Sequence, residues 1–217
     1  MLKKYGQFIK ESNIDIDSIC KIYKIKNYTI NSDLTVDVDD TVNISNEELT
    51  ELPLKFGKVS GHFYCENNNL TSLLGSPQTV GGFFDCYNNC LTSLLGSPKE
   101  VGGNFNCENN NLTSLLGSPK TVGGYFSCNR NKIINFKQLP ITYKYYLENN
   151  PIDEFLKYFD NYEDKRNLGE YLRLFEDIVQ FPYLDDLEFE ELAKCLKHKL
   201  PENWRDSVTS YKMLSEL

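Results

Sequence analysis

A 21-residue repeat is the feature that most constrains how this chain can fold. Residues 60–80, 81–101 and 102–122 align without gaps, and 14 of the 21 columns are identical in all three copies. One unit of this length cannot bury its own apolar side, whereas stacked copies share a continuous core. The repeat therefore predicts a solenoid in which each turn packs against the next.

The repeat continues, in diverged form, on both sides of these three copies. A fourth copy covers 123–143, and a shortened fifth copy follows at 145–152. Upstream, residues 42–52 carry the same spacing, with Ile44 at the position that Cys65 occupies one period later. We therefore expect the solenoid to extend beyond the near-identical copies.

Within one unit, the pattern of apolar and turn residues predicts a short strand followed by bends. Phe84 and Cys86 are two residues apart, so an extended chain points both to the same face. The pair Asn88-Asn89 favours a turn, because Asn tolerates unusual backbone angles and its amide bonds nearby backbone groups. Stacking then predicts inward ladders of Phe and Leu side chains. It also predicts a cysteine ladder of Cys65, Cys86, Cys107 and Cys128.

The motif Phe-x-Cys-x-x-Asn-x-Leu-x-x-Leu resembles the leucine-rich repeat, with Phe-x-Cys in place of Leu-x-Leu. The resemblance covers about 42–155. It implies an α/β-type solenoid dominated by β structure, namely a leucine-rich-repeat parallel β solenoid whose concave sheet binds a protein partner. Gly-Gly stands where that family often has a helical segment, which implies a thin convex side made of turns.

The segment before the repeats predicts a cap on the N-terminal end of the solenoid. We expect residues 1–27 to form a helical or targeting-like segment, and residues 28–58 to combine a β cap with a first degenerate repeat. Apolar and polar residues alternate over 30–44, which predicts a hairpin that turns at Asp39-Asp40. A cap of this kind hides the unpaired strand edge of a solenoid.

The segment after the repeats differs from them in both spacing and charge. The repeats occupy 59–155, and apolar residues in 156–217 recur at threes and fours, which predicts an acidic α-helical C-terminal cap. From residue 151 onward, 16 acidic residues stand against 9 basic ones. The net charge is −8 and no basic stripe is present, so nucleic acid is not an expected partner. No apolar run approaches the length of a membrane helix, and we expect a soluble protein with no membrane partner.

The cysteines and histidines give little indication of a catalytic or metal site. Side chains on one ladder point in parallel directions, which suits buried small hydrophobes and not disulfides. We therefore expect no metal, no cofactor and no catalytic residue, and a reducing compartment. An enzymatic alternative uses Cys195, with His198 three residues further on a predicted helix. It resembles the ubiquitin-ligase effectors that carry leucine-rich repeats, although a Cys-x-Asp signature is missing.

The columns that vary between copies indicate a partner-binding surface. They alternate with the inward Phe and Cys and therefore face the concave side of the predicted sheet. Exposed Tyr and Phe are typical interface anchors. The alternative is that these surface columns drifted without constraint after duplication. The predicted partner-binding residues are His62, Tyr64, Glu66, Phe83, Asp85, Tyr87, Asn104, Asn106, Glu108, Tyr125, Ser127 and Asn129.

The N-terminal stretch carries a second resemblance. Lys4-Tyr5, Phe8-Ile9 and Glu11 are similar to the capsid-targeting segment of T-even-type phage internal proteins. That resemblance implies cleavage by a prohead protease after Glu11. The alternative is a short amphipathic helix that docks on the N-terminal cap.

These observations predict a non-enzymatic protein-binding module that is encoded by a phage and binds a host or viral protein. Blocking a host defence factor is one such role. The alternatives are a virion or assembly component and an enzyme that uses Cys195. The expected location is the cytoplasm of a bacterial host, with packaging in the virion as a further option. The oligomeric state is left open.

Overall fold

The computed structural model describes residues 15–133, 138–142 and 144–150. In this part of the chain the protein is a mostly-β parallel solenoid of about five turns with very little helix. The elements are α1 (Ile16–Ile22), β1 (Tyr28–Ile30), β2 (Val36–Val38), β3 (Val42–Asn43), β4 (Phe56–Val59), β5 (Phe63–Tyr64), β6 (Thr79–Val80), β7 (Phe84–Asp85), β8 (Glu100–Val101), β9 (Phe105–Asn106), β10 (Thr121–Val122), β11 (Tyr125–Ser127) and β12 (Lys144–Tyr146).

Each turn contributes one strand to each of two sheets. The Val sheet has the order β1-β2-β4-β6-β8-β10, and the Phe sheet has the order β12-β11-β9-β7-β5-β3. In the Phe sheet, Phe63 pairs with Phe84 and Phe84 with Phe105, in parallel and 21 residues apart. Val42 pairs with Phe63 in the same way, so the degenerate upstream copy is a turn of the solenoid. The predicted parallel stacking is confirmed in this region.

The Phe and Cys ladders form the centre of the core. The rings of Phe63, Phe84, Phe105 and Phe126 are fully buried and stack with centroids 5.1–5.4 Å apart. The four ladder cysteines are also fully buried as free thiols. Burial raises the pKa values of the Cys65, Cys86 and Cys107 thiols well above the ordinary value of a cysteine. Their predicted role as small buried hydrophobes is confirmed.

A ladder of buried asparagines closes the turn after β5, β7, β9, β11 and β12 of the Phe sheet. We call Asn68, Asn89, Asn110, Asn131 and Asn150 the Asn ladder. The Asn89 Nδ2 donates to the carbonyl oxygens of Cys65 and Cys86 at 3.0 and 3.1 Å. Its Oδ1 accepts the Leu70 N–H at 2.9 Å. Each ladder residue thus ties its own turn to the preceding one, and it satisfies backbone groups that no strand pairs.

The residue just before each ladder asparagine makes the turn itself. Asn88 has a φ of 53°, in the left-handed region that Asn adopts more readily than most residues. The two asparagines of the repeat therefore have different tasks, one conformational and one as a hydrogen-bonding partner. The prediction that the Asn pair ends the strand is confirmed, with the first Asn making the turn and the second making the hydrogen bonds.

The Gly-Gly pair forms the corner between the two sheets. A Cβ atom on Gly102 would collide with the carbonyl oxygen of Gly81 in the preceding turn, and one on Gly123 with that of Gly102. At these two corners the turns can therefore approach each other this closely only because no side chain is present. This close approach explains why the pair recurs with the period of the solenoid.

The side opposite the Phe sheet is more ordered than the predicted run of turns. It carries the Val sheet, whose two-residue strands pair in parallel, as Thr79-Val80 does with Glu100-Val101. Val80 and Val101 are buried beneath it. The expectation of a side built from turns alone is corrected, because the Thr-Val or Glu-Val pair before each Gly-Gly is long enough for one strand bridge.

The predicted N-terminal hairpin exists, but its position was wrong. β1 and β2 pair antiparallel, and the chain between them reverses over 31–35. Asp39-Asp40 instead lies at the corner between β2 and β3, two strands that belong to different sheets. Gly81-Gly82 occupies the equivalent corner two periods later. The alternation over 30–44 runs through that corner, so it suggested one hairpin where there are two sheets.

The first described element is a short helix on the same end. Asp15 caps α1 by accepting the Ser18 N–H at 2.7 Å, and the helix buries Ile19 and Cys20. This agrees with a helical segment before the β cap. The predicted C-terminal helices, 156–217, lie outside the described residues.

Candidate functional site

The outward residues of the Phe sheet form a regular grid, which we call the outer face. Strand pairing places equivalent positions of successive turns side by side. The first column is Thr41, His62, Phe83, Asn104, Tyr125 and Lys144. The second is Asn43, Tyr64, Asp85, Asn106, Ser127 and Tyr146. The third is Ser45, Glu66, Tyr87, Glu108, Asn129 and Glu148.

All twelve predicted binding residues belong to this grid, and eleven are at least partly accessible. Phe83 and Tyr125 are the most exposed of the large apolar ones, at 41% and 39%. Ser127 is the exception, because it is only 2% exposed and its hydroxyl donates to the Glu108 carboxylate. Its prediction as a contact residue is corrected: it is a buried hydrogen-bonding group of the sheet.

The first column has a structural task that sequence variation concealed. The Thr41 Oγ1 accepts the His62 N–H at 3.2 Å, and the His62 Nδ1 accepts the Phe83 N–H at 2.8 Å. The Asn104 Oδ1 accepts the Tyr125 N–H at 3.0 Å. Three different residue types thus satisfy the first N–H of the next turn. The column varies in sequence because any acceptor of suitable length can do this.

Polar residues of the second and third columns also bond to the backbone. The Asp85 Oδ1 accepts the Tyr87 N–H at 2.9 Å, and the Asn106 Oδ1 accepts the Glu108 N–H at 3.1 Å. The Asn129 Oδ1 accepts the Glu148 N–H at 2.8 Å. These polar side chains therefore stabilise the solenoid, whatever else they do.

Among the aromatic side chains of the outer face, His62 accepts a backbone N–H, as described above. Several Phe and Tyr rings contact other rings instead. The His62 ring lies between two others, with centroids 4.8 Å from Phe83 and 5.5 Å from Tyr64. Further along, Tyr125 meets Tyr146 edge to face at 5.4 Å. The rings thus form two apolar patches, and the polar turn of Asn104, Asn106 and Glu108 lies between them.

Three carboxylates lie among these rings. Burial raises the pKa of Glu66 and of Asp85 above the ordinary carboxyl value. Like charge adds to this, since Asp85 acts on Glu66 and Glu108 acts on Asp85. No Lys or Arg contributes to either shift. One Glu66 oxygen, Oε2, is buried without a hydrogen-bond partner.

Sequence reasoning missed the two ends of the outer face. Thr41, Asn43 and Ser45 were not included because their copy is too diverged to show variable columns. Tyr146 lies 19 residues after Ser127, its strand partner, so counting by 21 does not find it. The apolar alternation of the shortened fifth copy is the signal that would have placed it.

A groove on the opposite side competes with the outer face as a candidate site. It has a volume of about 830 Å³ and crosses the Val sheet, where Thr79, Glu100 and Thr121 line it together with the corner glycines. Apart from Lys58 and Glu100 its side chains are mostly short, and no aromatic ring lines it. The outer face is the better candidate, because it exposes Tyr and Phe side chains, which are typical anchors of protein interfaces.

Other kinds of site gain no support from the described residues. No group of three or more His, Cys, Asp or Glu among them has a metal-binding arrangement. No helix among them combines the length and apolar character of a membrane span. The alternative catalytic pair Cys195 and His198, and the predicted processing residue Glu11, lie outside the described residues.

Comparison with known proteins gives no match, whether the chain is set against family models, curated proteins or solved structures.

Proposed function

We propose that this protein is a non-enzymatic binding module that holds a protein partner on the outer face of the Phe sheet. The observation that carries the proposal is the exposed ring of Phe83. Thr41, His62 and Asn104 in the same column each accept an N–H of the next turn. Phe83 has no acceptor atom, so the Asn104 N–H lacks the side-chain acceptor that the N–H groups of His62, Phe83 and Tyr125 have.

Drift accounts poorly for this substitution. Drift in this column is expected to keep a hydrogen-bond acceptor, because losing one weakens the stacking of two turns. Phe83 gives up that bond and also places 41% of its surface in water. Contact with a partner supplies the compensating burial, and Tyr125 is exposed in the same column.

We also propose that the solenoid is of the leucine-rich-repeat type. The Asn ladder supports this, because the resemblance in sequence rests on an Asn at that position, and each of the five ladder residues makes buried hydrogen bonds. The two-sheet cross-section is a departure from a helical convex side. A rigid face of this kind suits binding without turnover.

The experiment is an affinity capture from bacterial lysate with two matched triple variants. In one, Tyr64, Phe83 and Tyr125 are changed to Ala. In the control, Leu74, Leu95 and Leu116, which are exposed elsewhere at 73%, 51% and 44%, are changed to Ala. We expect the first variant to lose specific partners and the second to keep them, with equal thermal stability required of both. Retention by the first variant, or loss by the control alone, contradicts the proposal.

The setting that we propose for this activity is a phage infection in which the protein occupies a host defence factor. It is motivated by the resemblance of residues 4–11 to a capsid-targeting segment. Intact-mass measurement of the protein from purified virions tests it. A mature species that begins at Ser12 supports packaging, and absence of the protein from virions leaves a binding protein of the host cytoplasm.

A further inference from the structure

We propose that Asp85 and the three rings around it, Tyr64, Phe83 and Tyr87, form a subsite for a lysine or arginine side chain of the protein partner. The inference rests on the proposed function and adds the chemistry of what is bound. It commits the outer face to a basic segment of a protein.

The grid positions place rings on three sides of the carboxylate. Tyr64 is the strand partner of Asp85 in the preceding turn, and the two backbones lie about 4.8 Å apart along the solenoid. Phe83 and Tyr87 lie two residues before and after Asp85 on the same face of the strand, so their Cα atoms are each about 6.6 Å from that of Asp85. On the fourth side, Asn106 donates to the Asp85 Oδ2 at 3.2 Å. The Asp85 carboxylate is thus held by Asn106 on one side, and aromatic residues occupy the other three neighbouring positions of the grid.

This carboxylate lacks a countercharge among the described residues. The charged side chain that acts on it is Glu108, which has the same sign. Glu66 lies in the preceding turn, two residues after Tyr64. Burial raises the pKa of the Tyr64 hydroxyl, and the charges of Glu66 and Asp85 add to this. A partly buried negative charge without a cation is unfavourable. An ammonium or guanidinium group from a partner would relieve this strain and would not meet a competing charge.

The rings make the subsite selective for organic cations. A cation over an aromatic face gains electrostatic attraction, and its alkyl stem gains apolar contact. The outer face already contains one such contact, because the Lys144 Nζ lies 4.2 Å from the centroid of the Tyr146 ring. Calcium or magnesium would need several oxygen ligands that rings do not supply.

The test is titration of the full-length protein with short capped peptides, followed by amide chemical shifts in NMR at 0.15 M salt. The probes are acetyl-Gly-Ser-X-Ser-Gly-amide peptides in which X is lysine, arginine or norleucine. Norleucine has the apolar stem of lysine without its charge. We expect the lysine and arginine peptides to shift the amides of Asp85 and Tyr87 saturably, and the norleucine peptide to leave them unchanged.

Two variants locate the charge and the rings. Asp85→Asn keeps an acceptor for the Tyr87 N–H, and we expect it to weaken lysine-peptide binding at least about tenfold. Phe83→Leu keeps apolar area without the ring and should weaken binding about two- to fivefold. The control Glu100→Gln removes the same charge from the Val sheet and should change affinity less than about twofold, since salt screens distant charges.

Three outcomes overturn the inference: no saturable shift, equal binding of the norleucine peptide, or equal losses in Asp85→Asn and Glu100→Gln. The affinity capture described above distinguishes failure of this inference from failure of the proposed function. If the aromatic triple variant loses its captured partner while Asp85→Asn keeps it, the outer face binds protein but the cation subsite does not exist.

Discussion

Each residue of the Asn ladder replaces hydrogen bonds that strand pairing cannot supply at the turns. Asn89 serves three backbone groups in two turns, and all three lie in the interior. Leaving a buried group unpaired costs about 1–3 kcal/mol. We therefore expect Asn89→Ala to lower the free energy of unfolding by about 3–5 kcal/mol, as measured by urea denaturation.

The matched control for that change is an asparagine that follows a ladder residue one turn earlier. Asn69 occupies the exposed position after ladder residue Asn68, and its side chain faces solvent. Asn69→Ala should change stability by less than about 0.5 kcal/mol. Similar losses at Asn69 and Asn89 would show that the ladder bonds do not decide stability.

Asp85 makes the stability of the fold depend on pH in an unusual direction for a carboxylate. Burial raises its pKa in the folded state above the ordinary value of 3.8, so the folded protein binds the proton more tightly than the unfolded chain. Its favourable contribution is complete below pH 3.8 and is lost as the pH rises through the folded pKa. Glu66 acts in the same direction.

We therefore expect the contribution of Asp85 to the free energy of unfolding to fall as the pH rises above 3.8. Urea denaturation of the protein and of Asp85→Asn at a series of pH values measures it. The variant should lose part of the downward slope. Identical slopes in the two proteins would mean that the carboxyl titrates normally in the folded state.

At the scale of single elements, short strands acquire their rigidity from ladders of identical side chains. The Cys ladder predicts a sharp contrast in thiol reactivity, because Cys86 is fully buried and Cys90, four residues later, is exposed. Burial also raises the pKa of the Cys86 thiol and suppresses the reactive thiolate. We expect N-ethylmaleimide to label Cys90 in the native protein and Cys86 only after unfolding.

Fragment-ion mass spectrometry distinguishes the two sites, since no Lys or Arg separates them and they share one tryptic peptide. Urea-unfolded protein, in which both thiols should be labelled, is the control. Rapid native labelling of Cys86 would contradict a closed Phe-Cys core.

The elements also show what a repeat reveals in sequence and what it conceals. Stacking of Phe84 on Phe63 and Phe105 could be predicted, since a fixed period and a two-residue alternation determine it. The Val sheet could not, because Thr79-Val80 is too short for any alternation to mark a strand. The structural task of His62 was concealed for another reason: Thr, His and Asn accept the same hydrogen bond, so a constrained column appeared variable.

For the whole molecule, the 21-residue register makes one turn a removable unit. Deleting residues 81–101 joins Val80 to Gly102 and leaves every ladder in its column. Deleting 81–100 removes one residue less and moves inward side chains outward. We expect the first deletion to give a cooperative thermal transition by circular dichroism and the second to give none.

The full-length protein measured alongside is the reference for cooperativity. Loss of the cooperative thermal transition in the 21-residue deletion would show that the terminal segments need all copies of the repeat to fold. Cooperative folding of both deletions would show that register does not govern the stack.

The hydrogen bonds between turns run along the axis of the solenoid, which has a mechanical consequence. Force applied to the two ends of the chain loads these bonds one turn at a time, in the manner of a zipper and not of a shear joint. Each turn that peels away releases 21 residues, or roughly 70 Å of extended chain. A single-molecule pulling trace would then show low, evenly spaced steps, and one large rupture would contradict this geometry. We therefore expect the solenoid to yield readily when it is threaded from one end, even while a partner occupies the outer face as we propose.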